Sequence, residues 1–375
     1  METPESKTFD VAVIGGGLSG LTLSILLARK GLRVVLFEKN KYPFHRVCGE
    51  YISNESRNFL EKMGLPFAKL SLPEINKLTL TAPDGYAIHG NLDLGGFGIS
   101  RFELDHHLCQ LAEKAGVEIW QNCKVTQVEN SLDFQRVTST KGLVNVRLVC
   151  GSFGKYSPSF IDDSGSKVRS NFIGVKYHIR HDHDADRISL HNFKDGYCGI
   201  SKVEDGKSCL CYLTTSENLK QNGNQIRRME ESILFRNPHL KQIFEKAEFL
   251  FEQPIAISNI HFQPRHSEKN GIIMLGDAAG TIAPLSGNGM SMAMHSAAIL
   301  APWIEQQFAE NHSFEWLKTN YSNAWNQNFQ SRIGWGYRLQ QLFGNPHLTR
   351  AALGIVGNIP PLFRKLISLT HGSPF

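Results

Sequence analysis

The sequence of 375 residues contains no apolar run long enough to span a bilayer. Residues 1–8 are polar, and no apolar segment of the signal-peptide kind precedes the first predicted strand. We therefore expect a cytoplasmic protein, with peripheral association with a membrane left open. The formal net charge of +5 is small for this length, and no basic helix is interleaved with aromatic residues, so nucleic acid is not an expected partner.

Cysteine is scarce and scattered. The seven cysteines form no Cys-x-x-Cys pair, and their odd number argues against a disulfide framework. Most are expected to be small core residues, with Cys48 as the exception considered below. The tract of histidine and aspartate at residues 181–186 has no spacing suited to tetrahedral coordination. It is predicted to be a solvated loop, and no metal site is predicted.

The strongest motif lies near the start of the chain. A glycine pattern, G-x-G-x-x-G at residues 15–20, follows an apolar strand and opens a helical run, and a second strand ends in Glu38. Gly15 allows a sharp turn, Gly17 allows backbone amides to approach a pyrophosphate, and Gly20 allows close packing of the helix on the sheet. Glu38 would accept hydrogen bonds from a ribose and repel a 2′-phosphate. The pattern indicates a site for FAD or NAD, not for NADP.

A second glycine-rich turn, residues 276–280, follows a buried strand and precedes the loop Pro284-Leu285-x-Gly287-x-Gly289 and a long helix. In a flavin site, Asp277 could bond the ribityl chain. The amides of the helix that begins near Gly287 would stabilise negative charge on the reduced flavin. Together with the first motif, this turn narrows the expected ligand to FAD.

These motifs, with Arg101-x-x-x-Asp105 at the start of a predicted helix, resemble those of the FAD-dependent oxidoreductases that include geranylgeranyl reductases, aromatic hydroxylases and flavin-dependent halogenases. The resemblance covers nearly the whole chain. It implies an α/β (α+β) fold, in which a Rossmann-like FAD-binding domain is interrupted by a β-sheet substrate domain and followed by a helical C-terminus. The implied domains are residues 1–70, 95–165 and 265–345 for FAD binding, 71–94 and 166–264 for the substrate sheet, and 346–375 for the C-terminal helical segment.

The resemblance also implies a set of contacts with non-covalently bound FAD. Arg101 would contact the pyrophosphate and ribityl region, and the backbone at Val125 would contact adenine. The full implied set is Gly15, Gly17, Leu18, Ser19, Gly20, Glu38, Lys39, Arg46, Arg101, Val125, Gly276, Asp277, Gly287, Asn288, Gly289 and Met290. Because only one dinucleotide fingerprint is present, electrons are expected from transiently docked NAD(P)H or another external donor, which could be a protein.

Three features favour one branch of this group. Hydroxylases carry an Asp-Gly pair in the segment matching residues 151–157, where Phe153 replaces the acid here. Halogenases carry a W-x-W-x-I-P motif, whereas residues 196–201 contain no tryptophan, and Lys77 is predicted to be a solvated strand residue. Reductases of the group carry a Cys-Gly pair after the second strand, here Cys48-Gly49. The resemblance is therefore closest to the geranylgeranyl-reductase-like branch.

The resemblance would put Cys48 close to the flavin on the substrate side, where its thiol could position a substrate double bond or donate a proton. His45 and Arg46 could lower its pKa. Alternatively, Cys48 is an inert packed cysteine, and His45 and Arg46 are ordinary loop residues. Glu50 and Tyr51 are weaker candidates for a catalytic role.

The function expected is FAD-dependent reduction of a C=C bond in a hydrophobic prenyl, quinone-like or polyketide-derived compound of secondary metabolism, by hydride transfer from flavin N5. The alternative is a monooxygenase of an aromatic or lipid metabolite, followed by a halogenase or a flavin-binding protein without catalysis.

Residues 342–369 mix apolar residues with Arg350, Arg364 and Lys365. They could form the wall of a lipid-sized cavity or contact a membrane surface. The interpretation favoured is that these helices pack back on the FAD domain.

Overall fold

The computed structural model describes residues 8–161, 171–260, 265–281, 287–342, 345–369 and 372–375. The fold is the α/β arrangement expected, with two sheets and a helical C-terminal segment. The strands are β1 Thr8–Ile14, β2 Val34–Phe37, β3 Tyr51–Ser53, β4 Glu74–Thr81, β5 Ala87–Gly98, β6 Glu118–Trp120, β7 Val125–Asn130, β8 Gln135–Ser139, β9 Gly142–Gly151, β10 Phe172–Arg180, β11 Arg187–Phe193, β12 Gly196–Lys202, β13 Ser208–Thr215, β14 Glu248–Phe249, β15 Ile255–Ile260, β16 Glu268–Lys269 and β17 Ile272–Met274. The helices are α1 Leu18–Arg29, α2 Arg57–Met63, α3 Phe67–Leu70, α4 Arg101–Lys114, α5 Ser216–Gln221, α6 Ile226–Ile233, α7 Pro238–Lys246, α8 Gly289–Glu310, α9 Phe314–Trp325, α10 Ser331–Leu342, α11 Pro346–Gly357 and α12 Pro360–Ser368.

The first sheet has the order β16-β17-β9-β1-β2-β6, with the β7–β8 hairpin attached to β9. Its centre is parallel, since β1 pairs in parallel with both β2 and β9. Strand β1 is buried along Val11-Ala12-Val13-Ile14 because helices cover the sheet, as a near-continuous apolar strand requires. Helices α1 and α8 pack against each other in the same core. This sheet brings the two glycine-rich turns to one edge.

The second sheet has the order β14-β10-β13-β12-β11-β4-β5-β3, with β15 paired to β10. It is antiparallel apart from the parallel pair of β4 and β11. Side chains alternate along β10, so that Val175 and Tyr177 pack with Phe244 of α7 on one face. Lys176 and His178 therefore lie on the opposite face, where they make hydrogen bonds with residues 46–50.

The glycine-rich sequence of residues 95–98 predicts a loop. In the structure, strand β5 instead continues through these residues. A side chain at Gly96 would overlap the carbonyl oxygen of Ile52 in β3, and one at Gly98 would overlap that of Lys202. These glycines permit close approach of neighbouring backbone within a strand. The predicted domain boundary at residues 94/95 falls inside this strand, and β3, which lies within the predicted segment 1–70, pairs with β5.

The C-terminal helices pack differently from the favoured interpretation. Leu353 of α11 and Phe363 of α12 pack with Leu78 and Ile88 of the second sheet, not on the FAD-binding core. Gly90 makes room for the ring of Phe363, since a side chain there would overlap it. Phe375, beyond these helices, does return to the first core and stacks on His295. Within the described part of the chain, no helix is both long enough and apolar enough to cross a membrane.

Candidate functional site

The three motif glycines have distinct surroundings. Gly15 has φ +107°, and a Cβ atom there would lie 2.5 Å from the carbonyl oxygen of Ser152. A Cβ atom at Gly20 would overlap the carbonyl oxygen of Gly15. At Gly17 the nearest such atom is Nη2 of Arg101, 3.9 Å away, so the turn is open on that side. Among the described residues no side chain caps α1 at Gly17, and this open cradle at a helix N-terminus fits a pyrophosphate.

Glu38 ties the end of β2 to this turn. Its side chain is buried, and its Oε2 atom accepts hydrogen bonds from the amide of Gly16 at 3.0 Å and from Nη2 of Arg46 at 3.1 Å. Its Oε1 atom accepts from the amide of Asn40 at 2.9 Å. The hydroxyl of Tyr42 donates to the carbonyl oxygen of Gly16. The turn is therefore held rigid from the side of the acid.

Two arginines share the buried carboxylate of Asp105. Arg101 donates to it through Nε and Nη2, both at 2.7 Å, and Arg46 donates through Nε at 3.0 Å. Burial alone would lower the pKa of Arg101, but Asp105 raises it above its ordinary value. Two fixed cations thus stand beside the open face of Gly17, where the charge of a pyrophosphate would be neutralised.

The second glycine-rich turn meets the first. Gly276 has φ +60°, and a Cβ atom there would lie 2.5 Å from the hydroxyl oxygen of Ser19 on α1. The amide of Gly276 donates to the hydroxyl of Ser296 on α8 at 3.0 Å. The predicted Pro284-Leu285 part of the motif lies outside the described residues. Helix α8 begins at Gly289 and packs against residues 276–278.

One cavity of about 900 Å³ brings most of the predicted residues together. It is lined by Gly15, Gly17, Leu18, Ser19, Glu38, Lys39, His45, Arg46, Cys48, Arg101, Val125, Asp277, Gly287, Gly289 and Met290. Gly20, Gly276 and Asn288 are not among its lining residues. For Gly20 and Gly276, the close contacts described above indicate packing positions.

The far end of this cavity is apolar. It is lined by Leu78, Leu80, Leu92, Ile188, Leu190, Leu353, Val356, Phe363, Leu366 and Ile367, from the second sheet and the two C-terminal helices. The C-terminal segment therefore forms a wall of the cavity, which is one of the alternatives that the sequence left open.

Cys48 lines the same cavity. It is half-buried in the cavity, and its carbonyl oxygen accepts a hydrogen bond from the thiol of Cys209 at 3.2 Å. His45 packs between the rings of Phe102 and Phe251. Burial, with the charges of Lys176 and His178, lowers the pKa of His45 to about 4. A neutral imidazole carries no charge that would favour a thiolate at Cys48.

Sequence reasoning missed Lys176 and His178 and ranked Glu50 low. All three side chains are buried and meet at one point: the ammonium of Lys176 pairs with Oε1 of Glu50, and Nε2 of His178 donates to Oε2 at 2.6 Å. Although burial alone would raise the pKa of Glu50, Lys176 and His178 hold it at about 2. The available signal was the alternation in β10, which puts Gly174, Lys176 and His178 on one face of a buried strand.

Two other predicted features lie on the surface. Lys77 is partly exposed and pairs with Asp186 at 2.6 Å. Asp184, in the tract at residues 181–186, pairs with Arg187 at 2.9 Å. Among the described residues, the group with a spacing that a metal ion could bridge is Glu50, His178 and Cys209, where the ammonium of Lys176 already supplies a cation to Glu50.

Comparison with known proteins gives two consecutive family matches. The model for an FAD binding domain matches residues 8–143, and the model for squalene epoxidase matches residues 144–326. A conditioned medium factor receptor 1 from Dictyostelium discoideum is 24% identical over 366 residues, covering 87% of this chain and 69% of the relative. A digeranylgeranylglycerophospholipid reductase from Sulfolobus acidocaldarius is 24% identical over 337 residues, covering 80% and 70%.

Among solved structures, the flavin-dependent brominase Bmp2 superposes with a TM-score of 0.75, covering 96% of this chain and 98% of that one, at 18% sequence identity. At this identity the likeness concerns the fold.

Proposed function

Because the chain belongs to the superfamily of FAD-dependent oxidoreductases that includes geranylgeranyl reductases, monooxygenases and halogenases, we propose that it reduces a carbon–carbon double bond in a long, hydrophobic substrate. The observation that carries the proposal is the cavity of about 900 Å³, which is lined both by the glycine turn and by apolar residues of α11 and α12. Cys48 lines this cavity. A prenyl or similar polyisoprenoid chain matches the apolar end in polarity.

When bound and reduced by NAD(P)H or another external reductant, FAD would supply the hydride. The chain binds the pyrophosphate at the open face of Gly17 and neutralises it with Arg46 and Arg101. The apolar wall excludes water from the substrate. The thiol of Cys48 donates a proton to the carbon that does not receive the hydride, and it regains a proton from solvent. Two hydrogens are thus added across the double bond.

The test uses purified, FAD-loaded protein reduced with dithionite in the absence of oxygen and incubated with prenyl lipids, squalene and quinones. We expect products that have gained two hydrogen atoms, detected by mass spectrometry. Cys48→Ala should retain bound FAD and lose about a hundredfold or more in rate, the scale of general acid catalysis. Cys109→Ala, a buried thiol of α4 outside the cavity, is the matched control. Reduced protein that saturates none of these compounds contradicts the proposal.

A second candidate is oxygen insertion into a similar substrate, which the squalene epoxidase match over residues 144–326 favours. The same incubation repeated with oxygen and a continuous electron supply distinguishes the two. Products that have gained an oxygen atom, with no saturated product under anaerobic conditions, would favour the monooxygenase.

We also propose that α11 and α12 rest on a membrane from which the substrate enters. Leu348 and Ile355, seven residues apart on one face of α11, are 53% and 58% exposed, and Ile359 before α12 is 45% exposed. Arg364 and Lys365 on α12 are also exposed. The same two helices wall the cavity on their inner side. Apolar residues beside basic ones suit the surface of an anionic bilayer.

A further inference from the structure

Glu50 has a backbone conformation, with φ +57°, that residues other than glycine rarely adopt. It follows directly on Cys48 and Gly49, is fully buried and lines the cavity. Outliers of this kind persist only where the surroundings hold them in place. The contacts of the Glu50 side chain identify what holds this one.

The carboxylate of Glu50 joins three separate segments. Its Oε1 atom accepts hydrogen bonds from Lys176 in β10 and, at 2.7 Å, from the backbone amide of Arg101 at the start of α4. Its Oε2 atom accepts from His178 in β10. Glu50 itself ends the loop that carries Cys48, so this loop is tied both to the second sheet and to α4.

The first part of the loop is tied to the same sheet. Lys176 also donates to the carbonyl oxygen of Arg46 at 3.3 Å, and Cys209 in β13 donates to that of Cys48. The residues 46–50 are therefore fixed at both ends and in the middle.

Stability alone does not account for this cluster. Glu50 and Lys176 are both fully buried, and replacing a buried ion pair by apolar residues of similar volume is often neutral or stabilising. Such pairs are best known for specifying one arrangement against others. Here the arrangement they specify is that of the loop.

We propose that Lys176 and His178 are positioning residues, which act through Glu50 to hold residues 46–49 in one conformation and thereby fix where the Cys48 thiol stands in the cavity. This inference rests on the proposed function only in giving the thiol a role towards substrate. The position of the thiol can be measured without any substrate.

The experiment measures alkylation of Cys48 by iodoacetamide in FAD-loaded protein, followed by mass spectrometry of the Cys48 peptide. In Lys176→Met and Glu50→Gln, the loop is released and the half-buried thiol becomes more accessible. We expect Cys48 to react at least about fivefold faster, with faster amide exchange over residues 45–50. Lys176→Arg, which keeps the charge, should restore much of the protection.

The matched control is Glu230→Gln. Glu230 is equally buried and accepts hydrogen bonds from Tyr177 and Tyr212 on the opposite face of the same sheet, so it perturbs β10 without touching the loop. Its Cys48 should react at the wild-type rate. An equal acceleration in Glu230→Gln would overturn the proposal, because it would show a general loosening of the sheet.

Retention of FAD and a cooperative thermal transition show which variants fold. Should Lys176→Met fail to fold, His178→Phe keeps the ring stacked on Phe251 and the ion pair intact while removing one hydrogen bond to Glu50. Reaction of Cys48 within about twofold of wild type in the folded variants would overturn the proposal. Failure of the wild-type enzyme to reduce any double bond would instead overturn the proposed function and leave this result standing.

Discussion

The amide nitrogen of Gly16 lies 3.0 Å from the Oε2 atom of Glu38, so the acid that ends β2 is hydrogen-bonded to the glycine turn that follows β1. The spacing of this acid in the sequence indicates contact with a ribose. In the structure the same carboxylate also supports the backbone of the turn and pairs with Arg46. The structure therefore shows Glu38 shaping the turn, and its contact with a ribose stays a prediction.

Substitution of this acid should therefore weaken FAD binding. In Glu38→Gln, the amide at Gly16 and the guanidinium of Arg46 lose a charged partner. Hydrogen bonds to charged groups contribute about 1.5–3 kcal/mol, so we expect the Kd for FAD to rise roughly tenfold or more. Quenching of flavin fluorescence on titration measures this. Asp10→Asn, which alters the acid paired with Arg33 at the other end of these strands, should bind FAD as the wild type does.

The glycines of the turn should separate binding from stability. An alanine at Gly17 meets no protein atom closer than 3.9 Å but projects into the space for the pyrophosphate. We expect Gly17→Ala to keep its apo-protein melting temperature and to bind FAD at least about tenfold more weakly.

Gly20→Ala is the comparison. Its methyl group would overlap the carbonyl oxygen of Gly15, and overpacking of this kind costs about 1–3 kcal/mol. Thermal unfolding of the apo-protein should show the loss directly. Wild-type FAD affinity in Gly17→Ala would contradict this assignment of the turn.

Local features of the fold could be predicted from the sequence, whereas contacts between distant segments could not. The glycine turns have a fixed spacing with a local physical cause, so their fold could be predicted. The loop predicted at Gly96 and Gly98 is wrong, because the backbone that approaches these glycines comes from elsewhere in the chain and leaves no local sequence signal. Lys176, which pairs with Glu50 from β10, lies 126 residues away in the sequence, and no local pattern connects the two residues. The apolar face of α12 predicts burial but not which sheet it covers.

The buried carboxyl of Glu50 should make stability depend on pH. Its pKa is about 2 in the folded protein and 4.5 for the ordinary group. A lowered carboxyl pKa contributes stability that is present above the ordinary pKa and is lost as the pH falls from 4.5 towards 2. The free energy of unfolding of the wild type should therefore exceed that of Glu50→Gln most near neutral pH, by up to about 3 kcal/mol. This difference should shrink in acid.

Urea unfolding at a series of pH values measures this difference. Glu61→Gln is the control, because Glu61 pairs with Arg57 at the surface and such pairs contribute little. A difference between wild type and Glu50→Gln that stays constant down to acid pH would contradict the ion pair as the cause.

The outer face of the C-terminal helices supports a last prediction. Wild-type protein should sediment with vesicles that contain phosphatidylserine more than with vesicles of phosphatidylcholine alone, and salt should weaken the difference, because Arg364 and Lys365 lie beside the exposed apolar residues. Ile355→Ser and Ile359→Ser each remove an apolar side chain whose burial is worth about 1.5–3 kcal/mol. We expect each to lower the partition coefficient for the vesicles by roughly tenfold.

Leu132→Ser is the matched control, since Leu132 is the most exposed large apolar residue described but lies in the turn between β7 and β8, away from these helices. An equal loss of binding in Leu132→Ser, or wild-type protein that stays in the supernatant with both vesicles, would show that the helices serve only as the wall of the cavity.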